Sequence, residues 1–170
     1  MSGLIHTIHF ISPLPLVVSS RWLTILENYI SAVFIILCIN LLFFRNNNLK
    51  TRLIYLLPLT LCVFILNINI YTIFPWTTVD AVMFSSAGLY FLIKSLYINK
   101  KFSNLNYIFA LILFSLAALC RQTFSLTIVF LSLFMLYYFY KNKFNLFRLI
   151  IISVIGILPL IIYLSFLSYH

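Results

Sequence analysis

Between residues 22 and 169 the chain alternates long apolar runs with short polar breaks, and every run but one is matched to the thickness of a bilayer. A crossing needs about 20 helical residues. The first run spans residues 22–44 and ends at the Asn-rich basic stretch RNNNLKTR; the second spans 53–74, with Pro58 one turn inside. Neighbouring helices in a bundle can satisfy the carbonyl that such a proline frees. The sequence PWTTVD then predicts a turn, with Pro75 as a stop and Thr77 or Thr78 as the cap of a third span over 79–98, which returns to the basic break NKKFSN. The run that follows is too long for one crossing. From Asn106 to Tyr140 it holds 35 residues and one charge, Arg121. As a single helix it would extend about 52 Å, against a hydrocarbon core of about 30 Å. A hairpin bent at Arg121-Gln122 resolves this, giving a short fourth span over 105–120 and a fifth over 123–140. After KNKFN a sixth span covers 147–169. The expected fold is therefore all-α: a polytopic transmembrane helix bundle of about six spans over residues 22–170. Residues 1–21 precede it as a non-cytoplasmic or interfacial segment, with helix-breaking Pro13 and Pro15 and no cation before Arg21. A secretory signal peptide would carry a positive n-region there, and the segment reads more like the middle of a longer protein than a beginning.

Composition strengthens the membrane assignment. Hydrophobic residues make up 64% of the chain and charged residues 8%, with a mean hydropathy of +1.14, whereas soluble domains carry about a quarter charged residues. The net charge of +9 could point to nucleic acid, but its distribution argues against it. Of the 11 Lys and Arg residues, all but Arg21 and Arg121 fall in or beside three breaks: Arg45, Lys50 and Arg52; Lys94, Lys100 and Lys101; Lys141, Lys143 and Arg148. These breaks recur after every second crossing, which is the pattern of cytoplasmic loops. A nucleic-acid groove would need cations on one face with aromatic platforms between them. The compartment is then a bacterial inner membrane or the endoplasmic reticulum, with lipid as the main surrounding. Cys38, Cys62 and Cys120 lie in apolar runs without CxxC or Cys/His spacing and read as small apolar residues.

The alternation of spans also sorts the remaining charges. Arg21, Glu27, Asp80 and Arg121 all fall at non-cytoplasmic ends, and Glu27 and Asp80 are the only acids in the chain. Asn28, Asn67, Asn69, Tyr71, Thr77, Thr78, Gln122 and Thr123 gather at the same level, so a polar, ion-paired outer vestibule is expected. Arg121 is the strongest candidate within it. A guanidinium stays charged and presents a planar fork that matches phosphate oxygens, with Gln122 able to add hydrogen bonds to a sugar or the same phosphate. The structural alternative is an ion pair with Asp80 or Glu27, or snorkelling to the interface. Asp80 opens a helix, where the dipole stabilises it whatever its role. It is also an anion able to meet a cation or a polar acceptor. Glu27 reads as a partner for Arg21 or a polar packing contact. His6 and His9, three residues apart, lack a third ligand at metal-site spacing. Ala81, Ser85 and Gly88 form a stripe that lets helices approach closely, while Trp76, Tyr137, Tyr138 and Tyr140 read as interfacial aromatics.

The stretch IFPWTTVDAVMFSSAGLYFLIKSLY through NYIFALILFSLAALCRQTF, with SSRWLTILENYISAVFIIL before it, resembles the GT-C class of membrane glycosyltransferases, which take sugars from polyprenyl-phosphate carriers. The nearest resemblance is to dolichyl-phosphate-glucose α-1,2-glucosyltransferases, whose hairpin carries Arg-Gln-Thr, and to protein-mannosyltransferase-like enzymes. It implies hexosyl transfer on the non-cytoplasmic side. Arg121, Gln122 and Thr123 would bind the lipid-linked donor, and Asp80 would be the catalytic candidate, assisting at the acceptor or at a divalent metal ion. The resemblance covers roughly residues 15–135. The upstream helix and large acid-bearing outer loop of that class have no counterpart here. A fragment or truncated relative, inactive on its own, is therefore expected. An alternative of a different class is a non-catalytic membrane subunit or small transporter, in which Arg121 pairs with an acid and the small-residue stripe docks a protein partner.

Overall fold

The computed structural model describes residues 16–44, 48–70, 77–97, 104–141 and 146–168, and all of the regular structure among them is helical. In chain order the elements are α1 (Leu16–Phe43), α2 (Leu49–Ile70), α3 (Thr77–Tyr97), α4 (Asn104–Cys120), a 3-10 turn (Gln122–Phe124), α5 (Ser125–Lys141) and α6 (Leu146–Ser168). His6, His9, Tyr71, Pro75 and Trp76 lie outside the described residues. Two boundaries differ from expectation. Helix α1 begins at Leu16, because LVVSS contains nothing that stops a helix once Pro15 is passed, so Ser19, Ser20 and Arg21 belong to it rather than to a leading segment. Helix α2 begins at Leu49, where the Arg52 N–H donates to the Asn48 carbonyl at 3.0 Å. Lys50 and Arg52 thus occupy its first turn, and Pro58 sits more than two turns inside.

Val18–Phe43, Lys50–Asn69 and Thr77–Leu96 are each long and apolar enough to cross a membrane. The apolar stretches Asn104–Cys120, Gln122–Tyr138 and Leu149–Tyr163 are shorter. The surface also suits hydrocarbon. Ile54, Leu57, Leu61, Ile65 and Leu66 of α2 are all more than half exposed, an exposed apolar run of the kind that marks a lipid or protein contact.

The chain divides into two compact units, Met1–Met83 and Phe84–His170. In the first, α1 and α2 form an antiparallel hairpin. Phe44 stacks on Tyr55 at 5.8 Å near the connection, and Tyr29 meets Phe64 edge-on at 5.7 Å further along. Asn67 is the one buried side chain of α2 among those described.

Helix α4 is the centre of the second unit. Tyr107, Leu111, Phe114, Ser115 and Ala118 recur at helical spacing and are buried, as one face of a 3.6-residue period requires. Tyr107 lies against Ser153 of α6 at 3.5 Å, and the Ser115 hydroxyl donates to the Gly156 carbonyl at 3.3 Å. Contacts that ascend together along both helices mean that α4 and α6 run parallel. Helix α5 contributes Ile128, Leu131 and Met135, spaced three and four apart, to the same core. Gly88, from the small-residue stripe, packs on α4, where a Cβ at this position would lie 3.1 Å from the Phe114 ring and 3.3 Å from the Ala110 carbonyl. That part of the stripe serves the chain's own packing. Lys94, one turn from the end of α3, lies over the Tyr90 ring at 5.6 Å and the Phe91 ring at 5.9 Å, distances at which a cation is attracted to a ring face.

Candidate functional site

The Arg121 turn is built by the way α4 ends. The Arg121 N–H still closes the last turn, donating to the Ala117 carbonyl at 3.0 Å, but its backbone is extended at φ −150° and ψ 119°, so the helix stops there. Gln122–Phe124 then make a 3-10 turn. The Phe124 N–H donates to the Arg121 carbonyl at 3.0 Å, while the Ser125 N–H and hydroxyl both donate to the Gln122 carbonyl, the hydroxyl at 2.6 Å. Local hydrogen bonds thus satisfy the backbone groups that a helix end leaves without partners. The side chains of Arg121, Gln122 and Thr123 are left exposed. This is the bend the span lengths demanded, at the residues where it was expected. Its chemistry is a cluster of donors: five N–H groups on the guanidinium, an amide and a hydroxyl.

The two acids are differently placed. Glu27 and Asp80 are 4% and 6% exposed, and their carboxyl groups lie against each other. The expected open vestibule is, at this place in the first unit, a buried cluster. Helix α1 supplies most of it. Ser20, Thr24, Glu27, Asn28 and Ser31, spaced on one helical face, are all buried. The Thr24 hydroxyl donates to the Ser20 carbonyl and the Asn28 amide to the Thr24 carbonyl, both at 3.0 Å. Glu27 Oε1, Asn28 Oδ1, Ser31 Oγ and Asn67 Nδ2 are buried without a hydrogen-bond partner. The acid that faces Glu27 is thus Asp80, while Arg21, six residues back along α1, has an exposed side chain. Six residues are 600° of helix, which turns Arg21 far from the face of Glu27.

Asp80 is therefore brought to Glu27, and Arg121, Gln122 and Thr123 are held together on one turn. Thr24 and Ser31 were not singled out in the sequence, although their spacing of three and four from Glu27 was a readable signal. Among the described residues no group of three or more His, Cys, Asp or Glu side chains is placed to hold a metal ion. A divalent ion at Asp80 would therefore find Glu27 and no third carboxylate, imidazole or thiolate. The second unit also contains a cavity of about 270 Å³ lined by Tyr107, Ser132, Leu149, Ser153, Ile157 and Ile161, among others. Comparison with known proteins found no match to this chain among protein-family models, curated proteins or solved structures.

Proposed function

We propose that the chain is a GT-C glycosyltransferase-like integral membrane protein of about six spans that binds the phosphate of a polyprenyl-linked sugar donor on the non-cytoplasmic side through Arg121, Gln122 and Thr123. The observation that carries this reading is the turn itself: a guanidinium, an amide and a hydroxyl, adjacent and exposed, where two short apolar helices meet. A phosphate headed by a hydrocarbon chain needs such a pairing, donors at the interface and an apolar bed for the chain. The cavity of about 270 Å³ between α4, α5 and α6 lies in the same unit but about 15–20 Å along the helices from the turn, in reach of a long polyprenyl chain and not beside its phosphate. Asp80 enters this reading through its pair with Glu27, and the donor contact rests on the turn.

The test is binding of a polyprenyl phosphate to the purified full chain in nanodiscs, with sugar transfer from the corresponding polyprenyl-phosphate sugar assayed beside it. Losing a charge-assisted hydrogen bond costs about 1.5–3 kcal/mol, so Arg121→Ala should weaken binding at least about tenfold. Arg121→Lys should fall between the two, since lysine keeps the charge and loses the fork. Binding unchanged in Arg121→Ala overturns the assignment, as does wild-type protein that neither binds nor transfers.

Six spans also place Cys120, at the end of α4 beside Arg121, at the non-cytoplasmic interface. A membrane-impermeant maleimide should label it from that side and leave Cys62, within the span of α2, and buried Cys38 untouched. Labelling of Cys120 from the cytoplasmic side alone removes the six-span topology and with it the site. A second reading, a small transporter, is favoured by the buried acid pair.

A further inference from the structure

We infer that Glu27, Asp80, Asn28 and Ser31 form an intramembrane site for one small monovalent cation, with sodium as the fitting ion. The inference stands on the first unit alone and is independent of the Arg121 turn. An acidic pair is not by itself a site. What singles this one out is the set of buried acceptor oxygens around it. Glu27 Oε1, Asn28 Oδ1 and Ser31 Oγ have no hydrogen-bond partner, and their residues are 4%, 2% and 1% exposed. All three project from one face of α1, with Ser31 one turn beyond Glu27 and Asn28 beside it. The orientation of Asn28 is fixed, because its amide nitrogen is committed to the Thr24 carbonyl at 3.0 Å. Its oxygen is the free end. Asn67, antiparallel on α2 and one turn past the Phe64 contact with Tyr29, brings to the same level a buried amide whose unpaired atom is the Nδ2 donor, suited to an acceptor oxygen and not to the ion.

Buried polar oxygens without partners are costly, and such a group calls for a water, an ion or a function. The donor set selects among these. Carboxylate, amide and hydroxyl oxygens are hard ligands suited to alkali and alkaline-earth cations. Among the described residues no third His, Cys, Asp or Glu joins the pair, and two carboxylates with one amide and one hydroxyl oxygen fall short of the roughly six to eight oxygens of a calcium site, which leaves a monovalent ion as the fit. Burial excludes the other source of positive charge. With the acids 4% and 6% exposed, a lysine or arginine from a partner helix has no route to them. Ionisable groups inside a membrane span mark ion pathways among other functional sites.

The experiment is equilibrium binding of 22Na+ to the purified full chain in nanodiscs by scintillation proximity, with competition by Li+, K+ and Mg2+. One saturable site per chain is expected. Glu27→Gln and Asp80→Asn should each weaken it at least tenfold, Ser31→Ala several-fold, and Ser165→Ala, in the second unit, should leave it unchanged. Ser31→Ala removes one hydroxyl and keeps both acids, so it tests the site even where a carboxyl variant fails to fold. The inference is overturned by wild-type protein without saturable 22Na+ binding, the result of a proton-only pair. It is equally overturned by binding indifferent to Ser31 and both acids, or by Mg2+ displacing sodium at equal concentration. Polyprenyl-phosphate binding that persists in Glu27→Gln separates this site from the Arg121 turn.

Discussion

Replacing Gly156 by alanine is expected to destabilise the second unit by about 1–3 kcal/mol, the usual range for overpacking a filled core, and replacing it by leucine to prevent that unit from folding. A Cβ at position 156 would stand 2.4 Å from Leu111 Cβ, 2.8 Å from its Cδ1 and 3.2 Å from its Cγ. The nearest of these atoms is fixed to the α4 backbone, so rotating the leucine side chain gives no relief and the helices must separate. Separation in turn stretches the Ser115 bond to the Gly156 carbonyl, already 3.3 Å, and opens the contact of Tyr107 with Ser153. Gly88 provides the internal comparison. There the added carbon meets the Phe114 ring at 3.1 Å and the Ala110 carbonyl at 3.3 Å, and a ring can shift by a few tenths of an ångström. Gly88→Ala should therefore cost less than Gly156→Ala. Leu111→Gly removes the obstructing Cβ, so it should be less damaging beside Gly156→Ala than alone, and such neighbours couple by about 0.5–3 kcal/mol. Unfolding in mixed micelles, followed by helical circular dichroism, reads all five variants. Equal stability of Gly156→Ala and wild type, or strict additivity with Leu111→Gly, counts against this packing.

The helices and the Arg121 bend were legible in the sequence because they follow from length. A 35-residue apolar run cannot be one crossing, and the only charge within it marked where the chain leaves the helix. The starts of α1 and α2 were less legible. Their first two turns contain Arg21, Lys50 and Arg52, and hydropathy places polar residues outside a span although helical hydrogen bonding runs through them. Pro58 was foreseen as a tolerated proline, but its depth in the helix shifted with that boundary. The pairing of Glu27 depended on tertiary structure. Arg21 is near it in sequence and opposite in charge, whereas Asp80 is 53 residues away and of like charge. No local rule brings two acids together. The sign that Glu27 faces inward was its alignment with Ser20, Thr24 and Ser31, a polar stripe on an otherwise apolar helix, which makes sense only if those residues face protein. The role of Gly88 was legible as close helix approach, while the identity of its neighbour, α4 of the same chain, was not.

That like-charged pair leads to the second large effect. Glu27→Leu should destabilise the first unit by about 1–3 kcal/mol, the cost of leaving a buried polar group without its partner, because Asp80 is then 6% exposed with no carboxyl opposite it. Asp80→Val should cost a similar amount by stranding Glu27. The double variant should recover most of both losses, since replacing a buried polar pair by apolar groups of similar volume is often neutral or stabilising. A pair lying in an open vestibule would behave otherwise, with surface substitutions usually within about 0.5 kcal/mol of wild type and additive. The same unfolding measurement separates the cases. Strong non-additivity with a stable double variant supports the buried pair, and three small additive shifts refute it. The double variant also divides stability from function. A helix hairpin as stable as the wild type, with polyprenyl-phosphate binding intact and 22Na+ binding lost, would mean that the two acids persist in an apolar span for the ion they hold and not for the fold.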